Sequence, residues 1–388
     1  MIKNNNISVY SYYLLMLFLP LSLLFGNIFL GILFLSILFQ KEKPKKVNNI
    51  ISWSLIVFVG YVILNGILNS SFVSELDNYK MLIPLILIPY CINNMEKKVL
   101  NRGFIFLVFG ILYIQFSAFI GIIDYYYFTD GKKYALKNYS KINNILYYER
   151  PYLGYFSVLN IIISYYIFKK LKKKTVAILI FIISLMLIII ISARLSILTV
   201  FLLTIIVAYV ELNKNQKVIV FCCLTGLLTL FFFNKSSLKS RFLKINKDAR
   251  VVIWSGAYSS FKKTNNHMLG SGSQVKTRTE LLNHYMHYQK YESTDERNRF
   301  IKKNYNTHNQ YINELLRGGI LGLIIFTFPQ LFNLFWGFKR VDKTFNLLLL
   351  ISILSFCMVE NILERQIGVY LYALILSWSI KKKNKVIC

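Results

Sequence analysis

The chain has 388 residues, is 55% hydrophobic and carries a formal net charge of +29, with a mean hydropathy of +0.49. That apolarity excludes a string of soluble domains, because the apolar residues fall in repeated runs of about 15–25, each able to cross a hydrocarbon core of about 30 Å. The charge would suggest nucleic acid on a soluble chain; here much of it sits in short clusters between the runs, at 41–46, 169–174 and 381–385, the pattern of cytoplasmic loops.

A segment in lipid must satisfy its own backbone, so the runs read as helices. Residues 7–39 are too long for one span at about 1.5 Å per residue, and Pro20 with Gly26-Asn27 offers a turn between two. Single spans are expected near 50–68, 81–95, 103–123 and 151–168. The run 175–210 is again double length and is interrupted at Ser192-Ala193-Arg194, and spans near 217–233, 312–336, 345–358 and 366–380 follow. The expected fold is all-α: a polytopic membrane protein with about twelve transmembrane helices and one large loop, 234–311. No small-residue cleavage site follows the first apolar run, so it is expected to be a retained helix. The Lys and Arg distribution puts both termini in the cytoplasm and the large loop outside. Two regions result: N-terminal transmembrane helices over 1–168, and 169–388 with the loop. The five cysteines lie outside that loop, with no metal or disulfide spacing.

Within the loop, Leu238, Phe242, Ile245, Ala249, Val252, Ile253, Ala257 and Phe261 recur at helical spacing. Interleaved Lys and Arg give this stretch the pattern of a helix lying in the membrane interface. Gly270-Ser271-Gly272-Ser273 marks a turn, and a polar, Tyr-rich segment over 280–305 follows.

Three patterns have chemical potential. Arg194, after Ser192-Ala193, is costly among so much Ile and Leu unless it reaches water, a head group or an anionic partner; a snorkelling Arg at a helix end is the alternative. Arg250, in Asp248-Ala249-Arg250 and followed by Trp254 on the amphipathic loop helix, suits bidentate phosphate contact, or simply faces anionic lipid. Thr307 and Gln310 have capping-box spacing, which predicts His308 in the first turn of a helix entering the membrane. A helix N-terminus favours anions and the neutral imidazole, so His308 reads either as a general base beside a phosphate site or as a polar residue at an interface. His284 and His287 lie three apart without a well-spaced third ligand, so no metal site is expected. The Tyr285, Tyr288 and Tyr291 rings have the chemistry to stack on sugars, but Tyr is common throughout the chain.

Taken together these patterns resemble the O-antigen ligase family, which shares a domain with O-antigen polymerases. The resemblance covers roughly 170–380 and rests on Ser192-Ala193-Arg194, on Arg250 and Trp254, on the Leu-Gly-x-Gly turn at 269–272, and on His308-Asn309 with Leu315 or Leu316, Gly319 and Gly322 downstream. It implies a glycosyltransferase of the bacterial inner membrane, with its large loop periplasmic and neither metal nor other cofactor at the transfer step. The implied donor is a glycan on undecaprenyl diphosphate, and the implied acceptor is lipid A-core or another glycan. Arg194 and Arg250 would hold the diphosphate and His308 would activate the acceptor hydroxyl. O-antigen ligation is the first expectation and repeat-unit polymerisation the second. A lipid-linked glycan flippase is a third reading, but the sequence shows neither paired halves nor a large set of buried charges.

Overall fold

The computed structural model describes residues 6–40, 49–128, 145–213, 216, 249–264, 266–288, 291, 293–337 and 342–378, and its elements are helical throughout. Helices α1 (Asn6–Phe18) and α2 (Leu23–Leu38) pack as a hairpin turned at Pro20, as the sequence predicts. Asn49 caps α3 (Ile50–Leu68), its side chain accepting from the Ile51 amide. Next come α4 (Leu76–Leu82), α5 (Pro84–Asn94), α6 (Lys97–Phe128) and α7 (Arg150–Tyr166), which runs on as a π-helical turn, Ile167–Leu171. The double-length run is α8 (Lys174–Ile190) and α9 (Arg194–Glu211), joined where Ser192 takes a φ of +52°. The loop contributes α10 (Ala249–Lys263), α11 (Gln274–His287) and α12 (Thr294–Lys303). Helices α13 (Gln310–Gly337), α14 (Lys343–Cys357) and α15 (Gln366–Trp378) follow.

Five of the described helices, α3, α6, α7 with its π turn, α9 and α13, are long and apolar enough to cross a membrane. Helices α1, α2, α8, α14 and α15 are apolar but shorter, and the expected 217–233 span lies outside the described residues. The segment expected as a span at 81–95 differs: Pro84 starts a new helix and Pro89 sits inside it. With 11 residues, α5 rises about 16 Å, roughly half a hydrocarbon core. It buries Leu85, Ile88 and Ile92 against α15, α3 and α2, so this half-span is held by protein.

Helices α7 and α15 form the centre. Every residue from Ile367 to Trp378 is buried, and Tyr155 of α7 stacks on Phe356 of α14 at 4.4 Å between ring centres. Helix ends sort onto two faces. On one, Asp342 meets Lys170 at 2.5 Å and Lys97 at 3.4 Å, and Glu211 meets Lys169 at 2.8 Å. Burial alone would raise the Asp342 carboxyl, but the two lysines win and hold it below the usual carboxylate range. The opposite, loop-bearing face holds Glu149, Arg365 and the α10–α12 cluster.

That cluster shows what one face of the expected amphipathic loop helix packs on, while its Val251, Trp254 and Tyr258 stay exposed. In its described part, α10 folds against α11, α12 and α13 around Ile253, Ala257, Leu281, Tyr285, Phe300 and Leu316; residues 238–248 lie outside the described residues. Tyr285 is fully buried, its hydroxyl donating to the Tyr305 carbonyl, so it is core. Ser273 and Ser293 cap α11 and α12, accepting from the Lys276 and Glu296 amides.

Candidate active site on the loop face

The site is built on a broken helix. At Gly319, α13 leaves helical geometry with φ +64° and ψ −164°, a region essentially reserved for glycine. A break inside a candidate span orphans backbone groups that lipid cannot satisfy. The 267–272 turn supplies partners from the side. The Ser271 and Gly272 amides donate to the Leu316 and Arg317 carbonyls at 2.9 and 2.8 Å, and the Ile320 and Leu321 amides donate to His267 and Met268 at 3.0 and 3.2 Å. Asn65 of α3 adds its side-chain amide to the Leu269 and Arg317 carbonyls, and the Tyr61 hydroxyl donates to Gly318. The approach is so close that a Cβ on Gly270 would lie 2.5 Å from the Gly319 nitrogen. The two glycine motifs noted separately in the sequence are therefore halves of one interlock.

Ahead of the break, Arg317 Nη2 donates to both carboxylate oxygens of Glu314 at 2.9 Å, and Gln310 Nε2 donates to the same carboxylate at 2.7 Å. Both charges are buried. The sequence reading gave neither a role.

A second carboxylate, Glu364, ties the loop to the start of α13. It accepts from Gln274, Arg278, Asn306 and Asn361. Asn361 Oδ1 in turn accepts from Thr307 Oγ1 and from the Asn309 amide, both at 2.8 Å. His308 is held between them. The expected capping box does not form: Asn309 is the cap, its Oδ1 accepting from the Ile312 amide, while Gln310 receives the Leu363 amide and reaches Glu314. His308 thus precedes the helix, with φ +44° and its amide on Asn306 Oδ1, an Asx turn. Its Nδ1 lies 3.7 Å from Glu360 Oε2, with the two side chains 31% and 12% exposed.

Arg250 and Arg194 sit on separate helices, α10 and α9. One turn along α10 from Arg250, the Trp254 indole donates to the Thr307 carbonyl at 3.0 Å, next to His308. Arg194 opens α9, half-buried, and its neighbours Ala193 and Ser196 press on Gly154 of α7. Two residues before Gly154, the Tyr152 ring carries the Arg365 guanidinium at 5.3 Å, and the buried Tyr152 hydroxyl lies within electrostatic reach of Glu360. These links between the three candidates pass through intervening residues. His284 lies elsewhere, its ring against Gly256, and burial with Lys263 nearby pushes it below the usual histidine range. No third potential metal ligand joins His284 and His287 among the described residues.

Residues 154–327 match the family model described as O-antigen ligase. The chain carries an O-antigen ligase domain. The family is one of membrane enzymes that transfer glycans, made up of ligases and polymerases. A search of curated proteins finds no match to the chain. The O-antigen ligase domain includes Arg194, Arg250, His308 and both halves of the glycine interlock. Glu360, Asn361, Glu364 and Arg365 lie beyond it, and Tyr152 and Glu149 precede it.

Proposed function

We propose that this O-antigen ligase domain transfers a glycan from an undecaprenyl-diphosphate carrier to an acceptor hydroxyl on the outer side of the bacterial inner membrane, with lipid A-core as acceptor. The observation that carries the reading is the family match itself, whose residues include the two arginines and the histidine of one face. The lysine-rich face is cytoplasmic on this reading and the loop face periplasmic.

The chemistry follows from charge. His308 takes the acceptor's hydroxyl proton, the oxygen attacks the anomeric carbon, and the carbon–oxygen bond to the diphosphate breaks with inversion. The lipid diphosphate leaves with the electron pair, and Arg194 and Arg250 stabilise the charge it gains. Neither a metal nor a nucleotide sugar takes part in this scheme.

Purified protein given a defined lipid-linked repeat unit, with and without lipid A-core, tests it. Ligation predicts product only with lipid A-core; chains of repeats without it indicate a polymerase, which uses the same donor. His308→Ala is expected to lower turnover by about 10²–10⁴-fold, the usual contribution of a general base. Near-wild-type transfer by that variant refutes the base assignment.

A further inference from the structure

Of the carboxylates described on the loop-bearing side, Glu149, Glu314 and Glu364 are committed. Glu364 accepts from Gln274, Arg278, Asn306 and Asn361. Glu149 holds Arg365 at 2.6 Å, and Glu314 holds Arg317. Glu360 is different. Among the described residues it accepts no hydrogen bond, and its one ion-pair partner is His308 Nδ1, at 3.7 Å.

This proximity is not that of two loose surface side chains. Glu360 adjoins Asn361, the residue whose side chain grips Thr307 and Asn309 on either side of His308. The Glu360 amide is itself fixed on the Phe356 carbonyl at 3.0 Å. Backbone and clamp therefore set the two groups within one residue of a rigid junction on each strand of chain. A separation of 3.7 Å suits a resting site, since catalytic hydrogen bonds commonly tighten only when substrate is bound.

We infer that Glu360 is a positioning residue for His308, its carboxylate taking the Nδ1 proton in a hydrogen bond so that Nε2 presents its lone pair to the acceptor. The inference rests on the reading of His308 as the base. In the step, the acceptor O–H proton moves to Nε2, its oxygen bonds the anomeric carbon, and the diphosphate departs with the electrons of the broken bond. The imidazolium so formed faces the Glu360 carboxylate, which stabilises it as charge develops. The other charged and titratable groups around Glu360 are Tyr152 of α7 and Arg365, with Glu149 and Glu364 also acting on that tyrosine.

The test uses full-length protein, a defined lipid-linked repeat unit and acceptor. Glu360→Gln is expected to lower kcat about 10–100-fold, as losing a histidine's carboxylate partner does at metal sites, with donor KM unchanged, and Glu360→Asp to recover part of it. In a His308→Gln background, Glu360→Gln should cost nothing more. Wild-type turnover in Glu360→Gln, or losses that multiply in the double variant, overturn the inference while leaving the base intact. Full activity in His308→Gln alone instead removes the base reading beneath it. Should Glu360→Gln fail to accumulate, ¹⁵N spectra of histidine-labelled wild-type protein decide. With four histidines in the chain, the signal lost in His308→Gln must show the proton on Nδ1, and a proton on Nε2 overturns the inference.

Discussion

Replacing Gly319 by alanine attacks the interlock at its tightest point. Its φ of +64° with ψ −164° costs a non-glycine residue about 1–3 kcal/mol. The added methyl would lie 2.3 Å from the Met268 carbonyl oxygen and 2.7 Å from the Gly270 nitrogen. Those are backbone atoms, so the turn must back away. Two of the four inter-segment hydrogen bonds, from Ile320 and Leu321 to His267 and Met268, are the ones nearest the intrusion. Losing them removes roughly 1–3 kcal/mol more, for a total of about 2–6 kcal/mol. A thiol-reactive dye reports unfolding in detergent, because Cys91 and Cys357 are free and buried, in a background without the remaining cysteines. Gly26→Ala, Gly31→Ala and Gly60→Ala serve as controls, since a Cβ there meets nothing within 4 Å and alanine favours the helix. If Gly319→Ala unfolds at the wild-type temperature while the controls behave as expected, the strain-and-interlock account is wrong.

Arg194→Ala and Arg250→Ala should each weaken donor use by about 1.5–3 kcal/mol, the range for a charge-assisted contact, with insertion intact. Lysine should rescue only partly because it lacks the planar fork; normal donor affinity and turnover in both alanine variants, read in the purified assay, contradict the diphosphate role. Glu364→Ala strands Arg278 and three amide donors, so protease cleavage within 266–309 should accelerate, and an unchanged digestion rate counts against Glu364 as the tie. Asp342→Asn keeps a residue that tolerates the left-handed φ of +66° but removes the charge facing Lys97 and Lys170. A carboxyl held below its unfolded value contributes stability above that value and loses it as pH falls, so the variant's deficit in melting temperature should be present at pH 7 and shrink in acid; a deficit that persists in acid contradicts an ionic origin.

Much of this architecture was legible because lipid imposes simple rules on sequence. Pro20 and Ser192-Ala193-Arg194 marked both hairpins, and the described lysine cluster at 169–174 shares its face with Lys97, both reaching Asp342. The half-span α5 was not legible: a run of Pro, Leu and Ile reads alike whether lipid or protein covers it, and only packing against α15 decides. Thr307 and Gln310 matched a capping box by spacing, yet Asn309 won the cap because Asn361 and Glu314 claimed the other two side chains. Those competitors lie up to 54 residues away, where local spacing is silent. Glu360 was missed for the same reason, as was the meeting of residues 267–272 with Gly319. Spacing at Arg250 read as an amphipathic helix, but that Ile253 and Ala257 pack on Leu281 and Tyr285 was not legible.

The matched stretch is not a portable module. Glu75, from the turn ahead of α4, accepts from Ser273 Oγ at 2.7 Å and from the Val275 amide at 3.1 Å, so the first turn of α11 borrows its anion from a part of the chain nearly two hundred residues upstream. Asn69 accepts Lys276, and Ser71 donates to Gly272. Grafting 154–327 onto foreign helices would carry over the candidate arginines and histidine but leave their platform without its anchors. Changes in the early spans that touch neither arginine nor histidine therefore reach the loop directly, and two chains joined at residue 153 would need matched Asn65, Asn69, Ser71 and Glu75 to work as one.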